Sequence, residues 1–299
     1  MAEFNRIITH YDFDGVVSAM LLAEQFGIDS SEVIFTHPNE SKLTNVVADA
    51  KTIICDLPYF PNAGAWFDHH GANFRADIIV PGKREIEKSC GRVIARNFGL
   101  EDRFADLLIE TDKVDSANLE MTDVLDPQDY ILVSYVVGAN YTDPKDVAFN
   151  RHLLNLLPNT GATGIVNDPV VRSRIKDYLT YMEGAKEMVK EQTSLVGGVA
   201  VMDLRVAEHE VRPEAIRYLH YALNPEANFG VTIFHPADNP EEVNFGVGYN
   251  PFSKGEVTVD IGSLMRSLGG GGHAAVGGTR VSNANFKKTY NQVMTSLTE

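Results

Sequence analysis

Apolar positions along the chain follow two periods. Short β-rich runs recur at Arg6–Thr9, Glu32–Thr36, Lys51–Cys55 and Ala65–Phe67, with the length and composition of buried strands. Val16–Phe26, Ser89–Phe98 and Arg103–Thr111 instead space their apolar residues as helices do. This rhythm predicts an α/β fold, a mostly parallel sheet flanked by helices. From about Asp126 to Leu195 the pattern is helical. Val170–Thr193, entered through Asp168-Pro169, predicts one long helix. Gly197-Gly198 then punctuates the chain. Beyond it, Val199–Asp203, Phe229–Phe234, Val243–Val247 and Glu256–Val259 read as strands, and Pro213–Tyr221, Ile261–Leu268 and Phe286–Leu297 as helices. The expected organisation is an α/β domain over residues 1–165, a helical connector over 166–197 and a smaller α/β domain over 198–299.

Composition narrows the class. The 299 residues are 44% hydrophobic, enough for one or two cores and against general disorder. Lys and Arg number 26 against 41 Asp and Glu, a net charge of −15. So acidic a surface disfavours long duplex nucleic acid, which needs a basic footprint. A short anionic substrate in a local, cation-lined pocket remains compatible. Cys55 and Cys90 are the two cysteines, and their spacing suggests neither a disulfide framework nor a thiolate zinc site. No leader pattern opens the sequence and no run approaches the ~18 apolar residues of a membrane span. The expectation is a soluble cytoplasmic protein without a membrane partner. A homodimer remains open.

The candidate chemistry gathers where strands end. His10, Asp12 and Asp14 lie in THYDFDG after the first strand, Asp56 follows the third and Asp68-His69-His70 the fourth. Asp112 and Asp115 close a helical run in ETDKVDSA. Alternate residues of an extended segment share a face, and open parallel sheets bind ligands beyond the carboxyl ends of their strands. Taken singly, Asp-x-Asp-Gly is a turn or cap, a His pair is ordinary surface, and Asp115 caps a helix. Taken together they form a carboxylate cluster that needs raised pKa values or bound cations. Imidazole and carboxylate without thiolate suit two divalent ions, manganese or magnesium first, with iron, cobalt or zinc also compatible. Such a pair supports phosphoester hydrolysis by an activated water.

THYDFDG, Asp56 after TIIC, FDHH and TDKVD, in this order, resemble the four motifs of the DHH phosphoesterase superfamily. LGGGGHAAVGG resembles the glycine-rich signature of its DHHA1 domain. The resemblance covers about residues 1–165 and 198–299. Its close relatives there are nanoRNase and pAp-phosphatase-like proteins, some described as exopolyphosphatase-related. It implies a DHH catalytic domain and a DHHA1 substrate-binding domain, with the active site in the cleft between them. By the same resemblance His10 and Asp12 would bind one metal, and Asp14, His69 and Asp112 the other. Asp56 would bridge them, and Asp115 fits less well than Asp112. Asp68 would orient a neighbouring imidazole, and His70 would face the phosphate as stabiliser or proton donor.

Four consecutive glycines usually read as a flexible linker, but the flanking segments are compact. Ordering Gly269–Gly272 costs chain entropy, which a close backbone approach to an anion would justify. Gly270, Gly271, Gly272 and His273, helped by Arg266, are the candidate substrate-binding residues. Relatives that degrade short RNA often carry a Ser-x-Arg-Ser-like segment before this loop. Here Phe245–Gly255 has no arginine, and Tyr249, Asn250 and Lys254 stand there instead. Arg266 and Arg280 are the candidates to compensate, and Tyr249 either stacks on a base or packs internally. Three readings follow. The first is a metal-dependent phosphoesterase acting on short oligonucleotides or 3′,5′-bisphosphorylated nucleotides such as pAp. The second keeps the metal centre and changes the substrate to pyrophosphate or polyphosphate, with Lys113 and Lys254 as basic support. The third is a catalytically idle nucleotide-binding regulator.

Overall fold

The structure is a computed structural model and describes residues 3–38, 46–205, 218–236, 238–253, 255 and 258–299. The chain forms two compact units, residues 1–119 with 127–178, and residues 120–126 with 179–299.

The first unit is built on four parallel strands, β1 (Arg6–His10), β2 (Val33–Thr36), β3 (Thr52–Cys55) and β4 (Ala65–Phe67), in the order β2-β1-β3-β4. β3 is buried along its whole length and so is the middle of β1, as expected of parallel strands covered on both faces. Helix α1 (Phe13–Phe26) starts immediately after β1. Asp12 caps it, accepting from the Gly15 amide at 2.9 Å, and Gly27 ends it in the left-handed conformation. Gly15 is required by contact: a Cβ there would lie 2.1 Å from the His10 carbonyl oxygen. The chain can therefore fold from strand into helix within four residues, keeping His10, Asp12 and Asp14 together. Helix α2 (Cys90–Phe98) is capped by the Ser89 hydroxyl, and α3 (Ala105–Asp115) extends past the sequence expectation to include Asp112 and Asp115. Shorter helices follow, α4 (Met121–Leu125) in the second unit, then α5 (Asp129–Ser134), α6 (Pro144–Leu156) and α7 (Ala162–Asn167) in the first. The division between units falls inside the long helix α8 (Pro169–Gln192), not at its ends.

The second unit holds a six-stranded mixed sheet, ordered β5-β6-β7-β8-β10-β9. Its strands are β5 (Thr193–Val196), β6 (Val199–Asp203), β7 (Phe229–Phe234), β8 (Glu242–Tyr249), β9 (Gly271–His273) and β10 (Val276–Ser282). Among the described strands of this sheet, only the β6–β7 pair is parallel. Helices α9 (Leu219–Ala222), α10 (Ile261–Ser267) and α11 (Phe286–Thr298) accompany the sheet, and Val201, Val231, Phe245, Met265 and Val293 meet in its core. Two expectations change. Val259 lies outside any strand, and residues 256–257 of that expected strand are outside the described residues, as are 213–217 of an expected helix. The glycine-rich segment is the edge of a hairpin, paired with β10 through Val276–His273, Gly277–Gly272 and Gly278–Gly271. Its fixed path explains the glycines: Gly272 has φ +148°, and a Cβ there would lie 2.4 Å from Gly277 Cα. No helix among the described residues is long and apolar enough to cross a membrane.

Candidate metal centre

The centre lies at the carboxyl ends of β1, β3 and β4. His10 Nδ1 is 2.7 Å from Asp12 Oδ2 and 3.7 Å from Asp56 Oδ2. His69 Nε2 is 3.3 Å from Asp115 Oδ2, 3.6 Å from Asp56 Oδ1 and 3.9 Å from Asp14 Oδ2. The two oxygens of Asp56 therefore face different imidazoles. Two triads able to hold a metal ion result, His10–Asp12–Asp56 and Asp14–His69–Asp115, and a third group joins Asp56, His69 and His70.

Each side chain is held by the local fold. His69 Nδ1 lies 3.1 Å from the Glu87 carbonyl oxygen, which can only accept, so the proton sits on Nδ1 and Nε2 turns to the cluster. Asp14 accepts from the Cys90 and Gly91 amides at 2.7 and 2.8 Å, at the start of α2. Asp68 is fully buried and accepts from His70 Nδ1 at 2.9 Å and from Asn73 Nδ2 at 2.8 Å. The His70 side chain is half exposed. Asp56 stands at φ +55°, a left-handed conformation that costs a non-glycine residue about 1–3 kcal/mol and persists where surrounding structure imposes it. Its amide donates to the Phe67 carbonyl at 3.1 Å.

The electrostatics are those of a cluster short of positive charge. Burial alone would lower His10, but the neighbouring carboxylates of Asp12 and Asp56 push it up to about 10. Burial also opposes protonation of His69, yet the neighbouring carboxylates of Asp56, Asp14 and Asp115 raise it to about 10. Burial, then the charges of Asp56 and Asp12, raises Asp115 to about 7. Burial, then Asp56 and Asp115, raises Asp14 well above the carboxylate range. Both Asp56 oxygens and His69 Nε2 are buried without a hydrogen-bond partner. Such atoms are costly in isolation, and a cation in their midst satisfies them. The donor set, carboxylate and imidazole, suits divalent metal ions.

The structure places the two aspartates of the fourth motif differently. Asp112 does not face His69. Its carboxylate accepts from Ser89 Oγ at 2.6 Å and from Arg92 Nε and Nη2 at 3.0 and 2.8 Å. Asp115, three residues on and the less favoured candidate from sequence, occupies the place beside His69. Helical spacing was the available signal, but the partners that claim Asp112 come from a different helix.

The second unit's candidates form their own constellation. Gly271, Gly272 and His273 are exposed on edge strand β9, and the Gly270 amide donates to the Met265 carbonyl at 2.8 Å. Arg266 donates to the Gly272 carbonyl at 3.0 Å and to Ser263 Oγ at 2.9 Å, and Arg280 bonds Glu242 and Asp238. Both arginines thus have protein partners. Tyr249 packs internally, its hydroxyl donating to Val259 O at 2.9 Å and its ring 4.7 Å from Phe229. Asn250 Nδ2 is shared by three backbone carbonyls. Lys254 lies outside the described residues.

No protein-family model matches the chain, and no curated protein matches it. Solved structures do. The pGpG-specific phosphodiesterase PggH from Vibrio cholerae superposes with a TM-score of 0.84 at 25% identity, over 98% of each chain. The DHH domain of a member of the s1p family of ribosomal proteins gives 0.59 at 13% identity, over 99% of this chain and 87% of that one. RecJ from Thermus thermophilus, in complex with Mn2+, gives 0.52 at 14% identity, over 98% of this chain and 52% of RecJ. The likeness to the first of these runs through both units, and with the motif residues gathered at the strand ends it places the chain in the DHH/DHHA1 phosphoesterase superfamily.

Proposed function

We propose that this phosphoesterase hydrolyses short oligonucleotides or 3′,5′-bisphosphorylated nucleotides, using two divalent cations, manganese first among them. His10, Asp12 and Asp56 would hold one cation, and Asp14, His69 and Asp115 the other, with Asp56 between them. The observation that carries this is Asp56 itself, a buried carboxylate whose two unpartnered oxygens face different imidazoles. Cations bound there would supply the Lewis acidity that readies water for attack and offsets charge on the phosphoryl oxygens.

The chain's own groups do the rest. Asp68 holds His70 Nδ1, fixing the ring so that its exposed side meets the substrate as hydrogen-bond donor to the phosphate or the leaving oxygen. Asp112 acts at a distance: through Ser89 and Arg92 it steadies the start of α2, whose amides hold Asp14. In the second unit, His273 on its exposed edge strand is a candidate anion contact. The Vibrio cholerae relative is specific for pGpG by its description, which favours a phosphorylated dinucleotide here.

Product analysis with manganese on a panel of 5′-phosphorylated dinucleotide, pAp, cyclic dinucleotide, pyrophosphate and polyphosphate tests the reading. Release of mononucleotides from the dinucleotide, or of phosphate from pAp, supports it. Phosphate release from pyrophosphate or polyphosphate with no nucleotide turnover overturns it.

A further inference from the structure

Beside the acidic cluster, three segments of the first unit bring aromatic rings to one place. Tyr11 follows His10 at the end of β1, His37 follows β2, and Tyr141 lies ahead of α6. The Tyr11 and Tyr141 rings stack with centroids 5.5 Å apart and planes 25° apart. His37 is 5.9 Å from Tyr11 and 6.4 Å from Tyr141. The group adjoins the cluster through His10, whose ring is 4.7 Å from Tyr11 and 6.2 Å from His37. All these rings are half-buried, so each keeps part of its surface outside the cores that hold Trp66 or Phe245.

The sheet order gives this grouping a meaning. In β2-β1-β3-β4 the acidic cluster uses the ends of β1, β3 and β4. Tyr11 and His37 follow the ends of β1 and β2, and Tyr141 packs against them, along the same carboxyl edge where such sheets bind ligands. The arrangement is also built. Asn150 is 1% exposed, and its Nδ2 donates to the Tyr11 carbonyl at 3.2 Å and the Gly138 carbonyl at 3.1 Å, while its Oδ1 accepts from the Gly138 amide at 2.8 Å. One buried amide thus ties the end of β1 to the segment that carries Tyr141. Preorganised rings bind with little ordering cost.

We propose that Tyr11, His37 and Tyr141 form a subsite that stacks a nucleobase of the substrate, next to the phosphoester held at the cluster; this rests on the phosphoesterase reading of that cluster. Aromatic faces accept any base through its π-face. Pyrophosphate and polyphosphate offer nothing to stack. The subsite therefore makes the substrate a nucleotide, and Tyr141, which is remote in sequence from every cluster residue, a specificity-determining residue. Asn150 is a positioning residue for it.

Calorimetric titration of manganese-loaded protein with adenosine 5′-monophosphate and with ribose 5-phosphate tests the subsite without requiring turnover. Wild type should bind the nucleotide more tightly than the sugar phosphate. Tyr141→Leu should weaken nucleotide binding on the order of tenfold and leave ribose 5-phosphate binding within twofold. Tyr141→Phe, which keeps the ring, should bind the nucleotide as wild type does, and its thermal melt controls for folding. Equal affinity of wild type for the two ligands, or equal losses for both in Tyr141→Leu, overturns the subsite. If the base preference is present and runs through Tyr141 while no nucleotide is hydrolysed, the subsite stands and the proposed reaction falls.

Discussion

Asp56 shows how one residue can be unfavourable to the fold and central to the chemistry. It combines a left-handed backbone with two buried oxygens that no donor satisfies. Asn tolerates the same backbone conformation, so Asp56→Asn isolates the charge. The expected outcome is loss of activity well beyond the 10–100-fold typical of residues that merely support a ligand, together with a higher melting temperature of the metal-free protein. A calorimetric melt and a dinucleotide assay check both halves. The pair Asp112 and Asp115 separates holding a ligand from being one. Titration of Asp115→Asn with manganese should lose one of two binding events. Asp112→Asn should keep both, with affinity reduced about 10–100-fold. The choice between these residues was not legible in the sequence, because what removes Asp112 from the centre is Arg92 and Ser89, 20 and 23 residues away. His10, Asp12, Asp14, Asp56 and His69 were legible, since each follows a strand whose end places it.

Elements were legible where apolar runs bury on both faces and obscure where glycine replaces side chains. Ala65–Phe67, Val199–Asp203 and Phe229–Phe234 read directly as strands and occupy those ranges. Val276–Ser282 did not, because Gly277 and Gly278 interrupt the alternation, and only hairpin pairing with β8 and β9 makes it a strand. Helix α9 carries a further consequence that the sequence concealed. His220 is 1% exposed, and burial pulls its pKa down from 6.5 to about 4, against the opposing effect of a hydrogen bond with the Ala200 backbone. The ring is neutral in the folded protein and takes up a proton on unfolding between those values. Stability is therefore fully present above pH 6.5 and falls as the pH drops towards 4. Roughly 2.5 pH units at about 1.36 kcal/mol each amount to about 3 kcal/mol. Urea unfolding of wild type and His220→Gln at pH 7 and pH 4.5 checks it, the variant losing most of the difference.

Across the whole molecule, the net charge of −15 and the acidic centre pull the same way. A negative field of this kind draws cations in. In the metal-free protein the deficit of positive charge is met by protons, with His10 and His69 raised to about 10 and Asp115 to about 7. Metal binding at pH 7 must displace them. Manganese titrations in buffers of different ionisation enthalpy should thus report proton release, and affinity should climb from pH 6 to pH 8. A heat independent of buffer would contradict this. The metal-loaded protein should also melt higher, by about 2.7 kcal/mol of stability per site at a hundredfold excess over Kd. All of this depends on two cations sharing one carboxylate. Anomalous diffraction at the manganese edge from crystals grown in manganese measures that directly. The account predicts two peaks, one against His10 and Asp12 and one against Asp14, His69 and Asp115, both touching Asp56. A single peak, or a peak held by Asp112, would contradict it.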